Sequence, residues 1–135
     1  MKKQINHVTE FHKAFGHPIN DRPTLLPEAI TNLRYDLMKE ENEEYLEACQ
    51  AGDLVGVADA LGDQLYILCG SLIAHGMQHK IEEIFDEIQR SNMSKLDENG
   101  KAIINGENGV FDSSKPWGKV LKSLNFTEPN LKQFI

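Results

Sequence analysis

The stretch VGVADALGDQLYILCGSLIA, residues 55–74, decides the fold. With the preceding Leu54, it places Leu54, Ala58, Leu61, Leu65, Leu68 and Leu72 at spacings of three and four. That is the stripe of an amphipathic helix, and we expect it to form core. A second apolar set, Val57, Ala60, Ile67 and Ala74, lies on another face. A helix apolar on two faces is covered on two sides, which points to a dimer built on it. Two acids, Asp59 and Asp63, interrupt this apolar run.

Working outward, Asp53 suits the N-cap of this helix and Gly76 its end. Gly52 suits the C′ position of a preceding helix running to about Gln50. Pro27 fits the first turn of that upstream helix, with Glu28 at its positive end. Two long helices joined by so short a turn pack antiparallel. Further upstream, Val8, Phe11 and Phe15 mark a short helix over residues 5–15, stopped by Gly16. A loop with Pro18 and Pro23 follows. Downstream, Ile81, Ile84, Phe85 and Ile88 mark a fourth helix over residues 78–94. Asn-Gly then recurs at 99–100, 105–106 and 108–109, so the C-terminal tail reads as turns with at most a short hairpin. The expected fold is a single all-α domain, residues 1–135, with two long antiparallel helices and an irregular tail.

The chain has 14 Lys and Arg against 21 Asp and Glu, a net charge of −7. That balance argues against nucleic acid as a partner and against an anionic membrane surface. The start, MKKQINHVTEFHKAFG, lacks the apolar region of a signal peptide, and no membrane span is expected. Cys49 and Cys69 stand apart with no CxxC pairing, on or near apolar faces, and both read as reduced core thiols of a cytoplasmic protein. The five histidines offer no convincing pair, since His75 and His79 straddle Gly76.

The charge is unevenly placed. From Asp36 to Asp63 there are nine acids and one base, Lys39; the remainder carries 12 acids and 13 bases. On the first long helix the apolar stripe Ile30, Leu33, Leu37 continues at helical spacing into Glu41 and Glu44. Glu40 lies beside them, at i,i+4 to Glu44. On the second helix Asp59 and Asp63 are also i,i+4, so they share a face. Counted from the turn, the two sets lie at matching levels. Four or five carboxylates therefore converge between two helices, which is costly unless cations neutralise them. An all-oxygen set with no His or Cys points to Mg²⁺, with Mn²⁺ as the alternative.

These motifs carry a resemblance. Glu41-x-x-Glu44 followed by LGDQLYIL resembles the ExxE…ExxD signature of the all-α nucleoside triphosphate pyrophosphohydrolases, a superfamily that includes MazG, dimeric dUTPases and phosphoribosyl-ATP pyrophosphohydrolase. The similarity extends over EFHKAFGHPINDRPT, LMKEENEEYLEA, DALGDQLYILCGSLIAHG, IFDEIQRSNMSKLDENGK and the ending GKVLKSLNFTEPNL. The closer likeness is to MazG-like proteins of the dUTP-pyrophosphatase type. One position departs: Ala60 stands where the family carries Glu, three residues before Asp63, and Asp59 is the neighbouring acid.

The resemblance implies a MazG-like bundle, as an intertwined homodimer or tetramer. It implies Mg²⁺-dependent hydrolysis of a nucleoside triphosphate, such as dUTP or a non-standard nucleotide, to monophosphate and pyrophosphate. Glu41, Glu44 and Asp63 are then the first metal ligands, with Asp59 the fourth. Glu40 and Glu41 are the candidates for handling the attacking water. In the SNxSK-like stretch, Asn92 and Lys95 resemble nucleotide-contacting residues, near Arg90; Lys119 and Lys122 of the tail are further candidates. Trp117 and Phe126 are able to stack on a base or to pack the tail. A phosphoribosyl-ATP-type substrate and a catalytically weak nucleotide-binding helical dimer are the alternatives.

Overall fold

A computed structural model describes residues 1–135. It contains four α-helices and no strand: α1 (Lys2–Phe15), α2 (Glu28–Ala51), α3 (Leu54–Ala74) and α4 (Ile81–Met93). The chain divides into two compact units, Met1–Ile81 and Glu82–Ile135.

In the first unit α3 is the hub, packed by α2 along most of its length and by α1. By length and composition alone α3 is apolar enough to cross a membrane. Its core contribution is Cys69, Leu72 and Ile73, which meet Ile5 and Val8 of α1, with Ile19, Met77 and Ile81 packed around them.

The turn between α2 and α3 follows from local chemistry. Gly52 takes the left-handed conformation (φ 69°) that ends α2. One carboxylate oxygen of Asp53 then accepts from the amides of Val55 and Gly56, both at 3.0 Å, capping two orphan donors of α3. At its far end α3 is capped by the 17–26 loop. The Asn20 amide donates to the Ile73 carbonyl (3.1 Å), the Asn20 side chain to that of Ala74 (2.7 Å), and the Thr24 amide to that of His75 (2.9 Å). His75 Nδ1–H returns a bond to the Thr24 carbonyl at 2.8 Å.

Four expectations need correction. Pro27 is the N-cap residue of α2 rather than its first helical residue. The fourth helix begins at Ile81, not residue 78, because residues 78–80 form turns, with the Lys80 amide donating to Met77. The leucine stripe of α3 is not core within the chain. Leu54 is 80% exposed, Leu61 49%, Leu65 41% and Leu68 44%; only Leu72 is buried. The buried residues of α3 are Ala60 and Ala74 of the second apolar set, with Cys69, Gly70, Leu72 and Ile73. Cys49 likewise lies exposed, and only Cys69 is buried.

In the second unit, α4 and the tail are tied by polar contacts. Arg90 makes a two-pronged pair with Glu87, with Nε and Nη2 each 2.8 Å from a carboxylate oxygen. The same guanidinium donates to Thr127 Oγ1 (2.6 Å) and the Glu128 carbonyl (3.0 Å). The tail folds around Asn105, which is fully buried. Its side-chain amide donates to the carbonyls of Asp112, Lys115 and Pro116 at 2.9–3.1 Å, and its oxygen accepts from the Asp112 amide at 2.7 Å. One antiparallel bridge, Ile104 with Val120, stands where the sequence allowed a hairpin.

Candidate active site

The stripe of α2 is only partly covered: no residue of this helix is buried, and Leu33 is 42% exposed. Leu33, Leu37 and Glu41 line one cavity of about 460 Å³ between α1, α2 and α3, and Asp63 of α3 lines it too. The side chain of Gln64 donates to the main-chain carbonyl of Glu41 at 3.2 Å, which sets the two helices at the level read from the turn.

Glu41 is the strained member of the acidic set. It is half-buried, and its Oε2 is buried with no hydrogen-bond partner. Its pKa is raised, first by burial and then by the charges of Glu44, Asp63, Glu40 and Asp59 in that order. Four neighbouring carboxylates thus act on Glu41, and no basic group offsets them. Glu40, Glu44, Asp59 and Asp63 are themselves exposed. No three His, Cys, Asp or Glu side chains are drawn into a set able to hold an ion in this conformation. The donor chemistry fits a hard divalent cation nonetheless: oxygens only, with one orphaned carboxylate oxygen at the centre. Ala60 is fully buried, so the position where the resemblance expects a Glu is closed off within the α-helical packing.

The cationic candidates lie in the second unit. Lys95 Nζ donates to Asn92 Oδ1 at 2.8 Å, so these two side chains hold each other. Arg90 is committed to Glu87 and the tail. Lys122 pairs with Glu128 (3.5 Å) and sits 4.1 Å over the Phe126 ring, which leaves Phe126 covered by a cation. Lys119 is exposed; its carbonyl accepts from the Asn105 amide at 2.9 Å. Trp117 lies across Gly106, near Phe111.

Sequence reasoning missed the rest of the cavity. Its wall carries Phe11, His12, His17 and Arg34, beside Tyr66 on the face of Asp59 and Asp63. The signal was present: Arg34 lies at i+4 from Ile30 and i−3 from Leu37, a charge inside the apolar stripe, as Asp59 and Asp63 are on α3.

The chain matches the phosphoribosyl-ATP pyrophosphohydrolase family over residues 8–92 and belongs to it. The fold is accordingly the MazG-like all-α fold of nucleotide pyrophosphohydrolases. The chain is also 31% identical over 99 residues to an uncharacterized protein of Acanthamoeba polyphaga mimivirus, a match covering 68% of this chain and 38% of that relative.

Proposed function

We propose that this protein hydrolyses a nucleoside triphosphate, such as dUTP or a non-standard nucleotide, between the α and β phosphates. The products are the monophosphate and pyrophosphate. The observation that carries this reading is the buried, partnerless Oε2 of Glu41 amid four further carboxylates. Such a cluster is repulsive by itself and suited to neutralisation by cations.

Glu41, Glu44 and Asp63 hold Mg²⁺ (or Mn²⁺) in this reading, with Asp59 as the fourth ligand. When bound, the ion supplies charge neutralisation of the phosphates and a more acidic attacking water. Glu40 and Glu41 orient that water and accept its proton. Water adds to one phosphorus as the bridging oxygen leaves with the pyrophosphate, so no nucleophilic side chain is required. Asn92, Lys95 and Lys119 are assigned to the substrate on the strength of the sequence resemblance. We assign residues 1–135 to one functional domain of a cytoplasmic homodimer or homotetramer, with no nucleic acid or membrane partner. The exposed leucines of α3 support the oligomer.

Two other readings have support. The matched family's own name favours phosphoribosyl-ATP as substrate. The buried Ala60, and the lack of an ion-holding set in this conformation, favour a catalytically weak nucleotide-binding dimer. One experiment separates all three: pyrophosphate release from a panel of nucleoside triphosphates, deoxynucleoside triphosphates and phosphoribosyl-ATP, with Mg²⁺ or Mn²⁺. Orthophosphate release alone excludes the mechanism, turnover of phosphoribosyl-ATP alone moves the substrate, and binding without turnover selects the weak dimer.

A further inference from the structure

The cavity beside Glu41 and Asp63 holds an unusual polar pair. Arg34 is half-buried yet has no carboxylate partner. Its Nη2 donates to the Ile67 carbonyl (2.9 Å) and its Nε to Ser71 Oγ (3.2 Å), both neutral acceptors. Two of its five N–H groups are used, so three remain. Burial lowers the pKa of this guanidinium, consistent with a cation out of water and unpaired.

His12 is buried beside it. Its Nδ1 lies 2.8 Å from the Pro18 carbonyl oxygen, which only accepts, so Nδ1 carries the proton. Burial also lowers the His12 pKa, and the neutral ring then presents a bare lone pair at Nε2. Nε2 and Arg34 Nη2 converge over Gly70, whose missing side chain leaves room for both: a Cβ there would collide with each. No hydrogen bond joins them. A donor-only group and an acceptor therefore stand side by side at Gly70, on two residues that line the cavity.

Aromatic rings form another part of the wall. The Phe11 ring stacks on His17 (5.7 Å, 18°) and meets Tyr66 edge-on (5.7 Å, 88°). Arg34 and Glu41 are two turns apart on α2, about 10 Å along the axis. A volume of about 460 Å³ is in the range of small-ligand pockets.

We infer that this cavity receives the base of the nucleotide, and that Arg34 and His12 select bases with a keto edge. Arg34 donates to the ring carbonyl, and His12 Nε2 accepts from the adjacent ring N–H. Uracil, thymine, guanine and hypoxanthine present that order. Cytosine and adenine present the reverse, an amino group against the donor Arg34 and a bare ring nitrogen against the lone pair of His12. Leaving buried polar groups unpaired gives strong discrimination.

The inference rests on the pyrophosphohydrolase reading, so the test has one arm that needs no turnover. In the first arm, kcat/KM is measured for dUTP, dITP, dCTP and dATP with Mg²⁺. The expected preference for dUTP over dCTP, and for dITP over dATP, is on the order of 100-fold or more. Equal values, or a preference for the amino bases, overturn base selection while the pyrophosphohydrolase reading stands. In the second arm, calorimetry compares deoxyuridine with deoxycytidine, which carry no phosphate. Tighter binding of deoxyuridine supports the inference even if no triphosphate is turned over; equal binding, or none of either, overturns it. Arg34→Met is expected to bring the dUTP/dCTP ratio of kcat/KM close to one, mainly through KM, with partial rescue by Arg34→Lys. An unchanged ratio in folded Arg34→Met overturns the role of Arg34. Should that variant not fold, the wild-type nucleoside comparison decides.

Discussion

Gln64 of α3 donates its side-chain N–H to the main-chain carbonyl of Glu41 on α2, 3.2 Å away. This bond crosses between helices next to Asp63 and ties the level of one carboxylate set to the other. We expect Gln64→Ala to cost about 1 kcal/mol of stability, the usual net worth of such a bond. It should also weaken Mg²⁺ binding without removing any ligand. Urea denaturation and Mg²⁺ titration check both; unchanged Mg²⁺ affinity would show that the bond does not set the site.

Glu41 pays for its position in the absence of a cation. Its folded-state pKa is raised by burial and four like charges, so its ionised form opposes folding above the ordinary carboxylate range. Glu41→Gln removes that charge. The variant should melt at a higher temperature than wild type near pH 7 with chelator present. Adding millimolar Mg²⁺ should raise the Tm of wild type only. Activity should fall by more than about 100-fold, since even outer-shell partners of metal ligands matter by 10–100-fold. A metal-free variant less stable than wild type would contradict the repulsion argument.

His12 supplies a pH dependence of the opposite origin. Burial lowers its pKa below 6.5, the charges of Arg34 and His17 lower it further, and only the bond to Pro18 resists. Below about pH 6.5 the unfolded chain takes up this proton more readily than the folded one. The stability His12 confers is therefore complete above that pH and is lost as the pH falls through the window beneath it. Urea midpoints at about pH 7.5 and about pH 5.5 should differ more for wild type than for His12→Gln. Parallel shifts in the two proteins would assign the pH dependence elsewhere.

Gly70 is expected to tolerate no side chain. The Cβ of Gly70→Ala enters the space of Arg34 Nη2 and His12 Nε2. Overpacking of this kind costs about 1–3 kcal/mol. A thermal melt measures the loss. Gly62→Ala, where a Cβ meets nothing, is the control and should stabilise by about 0.5–1 kcal/mol through helix propensity.

Asp53→Ala removes the cap from the first turn of α3, where one oxygen serves both Val55 and Gly56. The expected loss is about 1 kcal/mol, and Asp53→Ser should recover most of it. An equal loss in both variants would mean that the carboxylate acts through its charge at the helix end rather than through the cap.

The helices were legible because the signals that make them are local. Gly16, Gly52 and Asp53 each act within a turn of chain, and each terminus they mark is where the structure has it. The pairing of α2 with α3 followed from the length of one turn, and the placing of Glu41 and Asp63 on one cavity followed from that pairing. The leucine stripe of α3 shows where such reasoning stops. Periodicity identifies an apolar face but not which neighbour lies on it, and here burial falls on Ala60, Cys69, Ile73 and Ala74, with Leu72 alone of the stripe. The cavity was hidden for a related reason. His12, Arg34 and Gly70 lie far apart in sequence, and each has a bland explanation until the loop through Pro18 brings the α1 histidine against the arginine of α2.

The two-residue joint at Gly52 and Asp53 has a consequence for what changes of length the protein can absorb. Between Glu41 and Ile73 every residue is counted, because α3 must aim Asp63 toward α2 while burying Ile73 on α1. One residue added inside α3 between Asp63 and Ile73 rotates one end against the other by about 100°. Such an insertion forces a choice between a packed helix and a converging pair of acids. Insertions should therefore collect in the loop before α2 or in the tail, and be missing from this span.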